Sequence, residues 1–346
     1  MSAIEDFYQC RFKYFCAQIL RLKTTSGEEE TNSQCAGKVL HRVLHEIFGI
    51  YFGEKKLDTR IELNATGKQR IIEAATDKTR FRELVKSLTA EYYHKLAATA
   101  AKGSTWTTYL CKELQETAWG AIKKIVTELT HSHFVPFASE LEVNAVYELE
   151  TGEKVKLSGQ VDRVDLWQQS NNLWVRVIDY KLGKNKFHPK DIWSGTKVQA
   201  LFYLAMILRQ LRNLGVTARP AGAAYVSLAS RFVKVELGAG DSGTMAGPLL
   251  QGLFVEEIDV LQAMEPNLEG RLIPVTRKKD GTPKKSNCLF QEDEFAGMEE
   301  KLKGLLQHHL AAFATRDFYP NPTTTVDTDN CHSCHFRSIC MSTSAQ

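Results

Sequence analysis

The tail of the chain carries Cys331-His-Ser-Cys334-His-Phe-Arg-Ser-Ile-Cys340, a C-x2-C-x5-C triplet that constrains the fold more than any other feature. Closely spaced thiols in a chain of this kind mark a metal site. Three thiolates need a fourth ligand, and the candidates are Cys10, Cys16, Cys35, His332 and His335. With Cys10 as that ligand, the metal closes a loop of more than 300 residues and brings the two ends of the chain together. Four thiolates suit tetrahedral zinc or an iron–sulfur cluster, and spacing alone does not separate the two. Eight cysteines in 346 residues are too few for a disulfide framework. There is no charged-then-apolar leader and no apolar run near the ~20 residues of a membrane span, so a reducing, cytoplasmic setting is expected.

Hydrophobic residues make up 43% of the chain and charged residues 25%, enough to build a core of ordinary size. Residues 4–22, with Ile4, Phe7, Phe12, Phe15, Ile19 and Leu20, read as a buried helix. The polar run 24–34 reads as a loop, 37–52 as a strong helix, and 68–133 as helix broken near Gly103. Three Val- and Leu-rich strands follow over 140–150, 155–167 and 173–181. Pro189 opens a helix running to about Asn213 and stopping at Gly215. Two more strands are read over 223–227 and 231–237, and a last helix over 293–314. This order predicts one mixed α/β domain, a central sheet flanked by helices, with an N-terminal helical elaboration.

In Val177-Ile178-Asp179-Tyr180-Lys181, strand alternation puts Asp179 and Lys181 on one face. The preceding strand carries Gly159-Gln-Val-Asp162-Arg-Val-Asp165. A hairpin through 168–172 brings Asp162 close to Asp179, and two carboxylates plus a cation suit metal-assisted phosphodiester hydrolysis. Hard oxygen ligands favour Mg²⁺ or Mn²⁺ over zinc. Register decides the matter. A hairpin centred on Ser170 sets Asp162 opposite Ile178, facing away from Asp179, so the metal reading requires a bulge or an offset turn. A lone Asp-x-Lys, by contrast, is an ordinary surface ion pair.

His41 lies off the apolar face formed by Val39, Leu40, Val43, Ile47 and Ile50. Its imidazole leans back over Gly37, where a ligand has room, and can complete a carboxylate metal shell. His45, one turn on, is a decoy for the same role. Gln199 and Tyr203 share a helix face four residues apart, where an amide and a phenol can meet phosphate or orient Lys181. The ordinary alternative for both pairs is solvated helix surface.

Taken in order, Cys10, Gly37-x3-His41, Glu140, Gly159-Gln-Val-Asp162-Arg-Val-Asp165, Asp179-Tyr-Lys181, Gln199-x3-Tyr203 and the cysteine triplet resemble the PD-(D/E)XK nucleases of the RecB type. The likeness is greatest to the AddB-type iron–sulfur nuclease domains of bacterial helicase–nucleases, and it spans nearly the whole chain. It implies a restriction-endonuclease-like core. His41, Asp162, Asp179 and the Tyr180 carbonyl would bind catalytic Mg²⁺, and Lys181 would position or activate the attacking water. Gln199 and Tyr203 would lie near the DNA backbone, with Glu140 as a possible accessory acid. Cys10, Cys331, Cys334 and Cys340 would hold a structural 4Fe–4S cluster. Arg11 stands where the family often has proline, which affects a turn and not a ligand. On this likeness residues 1–346 form one nuclease domain. Its parts are N-terminal helices to 53, a helical insertion at 54–133, a catalytic core at 134–240 and a tail region from 241.

With 44 Lys and Arg against 41 Asp and Glu, net charge +3 does not announce a nucleic-acid binder, so contacts must be local. The stretch 276–285 holds Arg277, Lys278, Lys279, Lys284 and Lys285 and reads as a basic hairpin or loop for DNA phosphates, or as a solvated charge run. Lys184, Lys186 and Lys190 could widen the positive rim. The family implies a metal-dependent deoxyribonuclease, exonuclease before endonuclease, acting on single-stranded ends in double-strand-break repair with a helicase partner subunit. A CRISPR adaptation nuclease shares the motifs but is usually shorter. A non-catalytic DNA-binding scaffold would have no need of His41, Asp162, Asp179 and Lys181 together. No G-x4-G-K-[ST] phosphate loop occurs, so an excised domain or a stand-alone relative is expected rather than a full helicase–nuclease subunit.

Overall fold

The computed structural model describes residues 2–22, 28–58, 60–99, 105–182, 187–228, 247–323, 331 and 334–340, without the side chains of 28–35, 91–99 and 105–111. Six strands form one mixed sheet in sequential order: β1 (Val135–Glu148), β2 (Lys154–Gln169), β3 (Asn172–Lys181), β4 (Ala218–Ser227), β5 (Leu250–Val255) and β6 (Leu289–Phe290). β3 and β4 run parallel, as do β5 and β6, and the other neighbours are antiparallel. The expected α/β class and mixed sheet are what forms. Among the described residues, no helix is long and apolar enough to cross a membrane.

Residue chemistry explains the sheet's layers. In β1, Leu141, Val143, Ala145 and Tyr147 are buried while Glu142, Asn144, Val146 and Glu148 are exposed, the alternation of a strand with one wet face. β3 is buried from Leu173 to Tyr180, as expected of a central strand covered on both sides. Its polar residues therefore need partners within the protein. Arg176 finds Glu128 and Asp165, each at 2.6 Å, and Arg163 reaches the same two acids at 2.6 Å. All four side chains are at most 1% exposed.

The helices are α1 (Ser2–Gln9), α2 (Arg11–Tyr14), α3 (Glu28–Phe52), α4 (Ala65–Ala74), α5 (Lys78–Thr99) and α6 (Thr105–His131), then α7 (Pro189–Trp193), α8 (Gln199–Asn213), α9 (Ile258–Met264) and α10 (Glu294–Ala314). The single helix expected over 4–22 is broken at Cys10, whose backbone is extended, and continues as α2 and a π-helical turn over Phe15–Ile19. Leu20, expected among the buried residues, is 50% exposed beyond that turn, and Ile50 lies off the apolar face of α3 at 47% exposed. The helix expected over 189–213 is split. Gly195 takes φ +80°, and a Cβ there would come within 2.5 Å of the Tyr8 ring, so the chain turns and restarts at Gln199. β1 begins at Val135, ahead of the expected boundary, and β5 is not among the expected strands. The strand expected over 231–237 lies outside the described residues.

Candidate active site

The hairpin between β2 and β3 closes with Gln169 opposite Asn172 around a two-residue turn, Ser170–Asn171, in which Ser170 takes φ +52°. Every pair is thereby offset by one residue from a hairpin centred on Ser170. The ladder ends at Arg163 opposite Ile178, and continuing the register sets Asp162 across from Asp179. This is the offset turn the metal reading requires. Beyond the ladder, the Tyr180 N–H donates to Asp162 Oδ2 at 2.6 Å rather than to a strand carbonyl. On the other side of β2, Ser139 pairs with Arg163 and Leu141 with Val161, so Glu140 stands beside Asp162. Glu140 takes φ +52°, a left-handed kink inside β1 rather than a position before it.

α3 delivers the imidazole. His41 Nδ1 lies 3.3 Å from Asp162 Oδ1 and 3.6 Å from Glu140 Oε1, and Nε2 lies 3.2 Å from the Tyr180 carbonyl. Ligand atoms of His41, Glu140 and Asp162 all fall within 4.8 Å of one another, the spacing of a metal shell. One imidazole and two carboxylates are a donor set that fits a hard divalent cation. Asp179 is not part of that tight group, whereas Glu140, the accessory acid of the sequence reading, is. The three residues open onto a pocket of about 510 Å³ lined also by Gly37, Lys38, Arg42, His45 and Gln160. The room over Gly37 is shared with Leu182, whose tip would lie 2.7 Å from a Cβ. His45 lies 3.0 Å from the Ser139 hydroxyl and outside the metal group, as expected of a decoy.

Electrostatics set the protonation of these groups. Burial lowers the His41 pKa, but hydrogen bonds to Asp162 and Glu140 and their charges outweigh it and carry it to about 10. The imidazolium thus occupies the negative environment that a cation would favour. Burial, followed by the charge of Asp162, pushes the Asp179 carboxyl up to about 7 against the opposing pull of Lys181. Lys181 Nζ lies 2.7 Å from Asp179 Oδ2 and donates to Gln199 Oε1 at 3.1 Å. Burial lowers the Lys181 pKa, but Asp179, Glu5 and Asp162 more than reverse it, so the amine stays protonated at neutral pH. Gln199 Nε2 in turn donates to the Tyr203 hydroxyl at 3.2 Å. Gly159 is required for this approach, because a Cβ there would lie 2.5 Å from the Tyr203 ring. Gln199 and Tyr203 are therefore part of the lysine's surroundings and not ordinary surface.

At the other end of the molecule the termini meet. Thr323 donates to the main chain at Tyr8 and Gln9, and Arg11 N–H donates to Asn321 Oδ1 at 2.8 Å. The Arg11 guanidinium pairs with Asp317. A proline at position 11 would forfeit both ties. Cys334 N–H turns back on Cys331, and Arg337 N–H on Cys334. Burial raises the thiol pKa of Cys16, and the neighbouring Cys334, Cys340 and Cys10 raise it further, so these four thiols lie near one another. His335 is exposed, and His332 and the side chain of Cys35 lie outside the described residues. The stretch 276–285 folds back through an Arg277–Pro283 bridge with all five basic side chains exposed, which makes it a hairpin. Lys190 is exposed on α7, and Lys184 and Lys186 lie outside the described residues.

Sequence reasoning missed Glu5, which accepts the main-chain N–H groups of Val198 and Gln199, and Glu128, which pairs with both buried arginines. Neither sits in a recognisable motif. The only signal for Glu128 was the presence of two arginines in strands that otherwise read as core.

Comparison with known proteins places the chain. The family model of the PD-(D/E)XK nuclease superfamily matches residues 1–341. An ATP-dependent helicase/deoxyribonuclease subunit of Caldanaerobacter subterraneus subsp. tengcongensis is 26% identical over 98% of this chain and 29% of its own length. The subunits of the same name from Clostridium kluyveri and Desulforudis audaxviator are each 25% identical, over 99% and 98% of this chain and 30% and 29% of their own. The chain thus spans under a third of the length of the curated relatives it matches.

Proposed function

Because the chain belongs to the PD-(D/E)XK nuclease superfamily, we propose that its pocket hydrolyses phosphodiester bonds in DNA with a divalent cation. The observation that carries this reading is the convergence of His41, Glu140 and Asp162 within 4.8 Å, beside the Asp179–Lys181 pair. His41, Asp162, Asp179 and the Tyr180 carbonyl would hold Mg²⁺ or Mn²⁺, with Glu140 as a further ligand. When bound, the cation supplies a polarised phosphoryl oxygen and a water of lowered pKa. Lys181, held protonated by Asp179, is suited to orienting water and neutralising charge at the phosphate rather than to removing a proton. Gln199 fixes the lysine, and Tyr203 fixes Gln199. Asp179, kept near neutrality by burial, would lose its proton as a cation enters.

The substrate proposed is DNA, entering as a single-stranded end and cut as an exonuclease would cut it. Arg277, Lys278, Lys279, Lys284 and Lys285 would hold its phosphates. The names of the relatives support a place in an AddAB-like helicase–nuclease with a partner subunit, acting in the bacterial cytoplasm during double-strand-break repair. Cys10, Cys331, Cys334 and Cys340 would carry a structural 4Fe–4S cluster that staples the two ends. The proximity of Cys10, Cys334 and Cys340 supports that ligand set.

The test is Mg²⁺-dependent cleavage of end-labelled single strands by the wild type, Asp179→Ala and Lys181→Ala. Activity in the wild type and its loss in both variants is expected, and equal activity in all three would end the assignment. A circular single strand should resist an exonuclease. Iron content and visible absorption of anaerobically prepared protein report on the cluster, and a colourless zinc protein would replace it.

A further inference from the structure

α8 begins without a cap of its own. Its N-cap residue is Val198, which has no side-chain acceptor for the free N–H groups of the first turn. The missing acceptor comes from the other end of the sequence. Glu5 Oε1, on α1, lies 2.8 Å from both the Val198 and the Gln199 N–H. A carboxylate at a helix N-terminus is favoured by the aligned peptide dipoles as well as by the hydrogen bonds. α1 itself is held in place. Ile4 and Phe7 are buried, Tyr8 donates to the Leu305 carbonyl at 2.7 Å, and the Tyr8 ring fills the space over Gly195, where the chain turns into α8. The first residue of α8 is Gln199, whose Oε1 accepts from Lys181.

We infer that Glu5 is a positioning residue of the catalytic centre, which fixes the start of α8 so that the Gln199 amide holds Lys181 beside Asp179. The inference rests on the nuclease reading for its chemistry, but the cap can be measured without any activity. Glu5 touches no reacting atom. Its effect travels through one helix terminus and one amide side chain. The two ends of the chain thus contribute to the same site: the segment leading into Cys10 fixes the lysine's holder more than 190 residues away.

The experiment is a double-mutant cycle on the metal-loaded 346-residue chain, joined to amide hydrogen exchange. Glu5→Ala should lower kcat for a single-stranded oligonucleotide by roughly five- to tenfold, the scale of one lost cap. KM should stay within about twofold, since no substrate contact is removed. Glu5→Gln, which keeps an acceptor oxygen, should recover most of the loss. Gln199→Ala should lower kcat similarly, and the double variant should be no slower than Gln199→Ala alone. Exchange at the Val198 and Gln199 amides should rise in Glu5→Ala and stay low in Glu5→Gln. Independent losses that multiply in the double variant, or unchanged exchange in Glu5→Ala, would overturn the inference. A wild type that cuts no DNA while exchange still depends on Glu5 would overturn the nuclease reading and leave the cap standing.

Discussion

Substituting Glu128→Gln removes one of the two acids that neutralise Arg163 and Arg176 at the back of the catalytic strands. Burial pushes the Glu128 pKa up, but the charges of Arg163 and Arg176 and their hydrogen bonds pull it from 4.5 down to about 2. A carboxyl held that far below its unfolded value contributes about 3 kcal/mol of stability at neutral pH. The sign follows from the depression. The contribution is complete above pH 4.5 and is lost as pH falls toward 2. The variant leaves two buried guanidinium groups sharing Asp165 alone, and breaking a buried pair in this way costs about 3–5 kcal/mol. Both routes reach the same size. Urea unfolding of wild type and variant at pH 7, extrapolated to water, should differ by about 3 kcal/mol, and the gap should narrow to about 1 kcal/mol at pH 3. A difference under about 1 kcal/mol at pH 7, or one that ignores pH, would refute the reasoning. Glu128 lies on α6, so the 54–133 helical segment takes part in holding β2 and β3 at the site.

Further outcomes follow from the same geometry. Gly159→Ala should drive the Tyr203 ring away from β2 and cut turnover roughly tenfold with little change in melting temperature; unaltered turnover would deny Tyr203 its role. His41, raised to about 10, adds stability that is complete below its unfolded 6.5 and lost as pH rises through about 10. A cation must displace that proton, so Mn²⁺ affinity should climb between pH 6 and pH 9, and calorimetry in buffers of different ionisation enthalpy should show about one proton released per metal. Zero release would mean that the imidazole stays outside the shell. Alanine at Lys278, Lys279, Lys284 and Lys285 should weaken oligonucleotide binding and flatten its salt dependence; an unchanged salt slope would return the hairpin to solvated surface.

Much of the site is legible because its chemistry is local in sequence. Asp179 and Lys181 share a strand face by simple alternation, and His41 stands off a clear apolar stripe. What sequence could not supply was the hairpin register, since one residue of offset reverses every face. The φ +52° at Ser170 that sets it is carried by a residue with no strong preference for that conformation. The split between α7 and α8 is hidden because Gly195 in a helical pattern is tolerated, and only contact with Tyr8 makes it a turn. Pro136 disguises the start of β1, where the ladder shifts register. Glu5 and Glu128 escaped because an isolated acid on a helix gives no hint of a partner more than 30 residues away.

The central claim is that side chains from α3, β1, β2 and β3 surround one hard cation. Anomalous diffraction from crystals soaked in Mn²⁺ tests it directly. The account predicts a peak at about 2.2 Å from an Asp162 oxygen, flanked by His41 and the Tyr180 carbonyl with Asp179 or Glu140 completing the shell. A peak bound elsewhere in a protein that cuts DNA, with none among these residues, would contradict it.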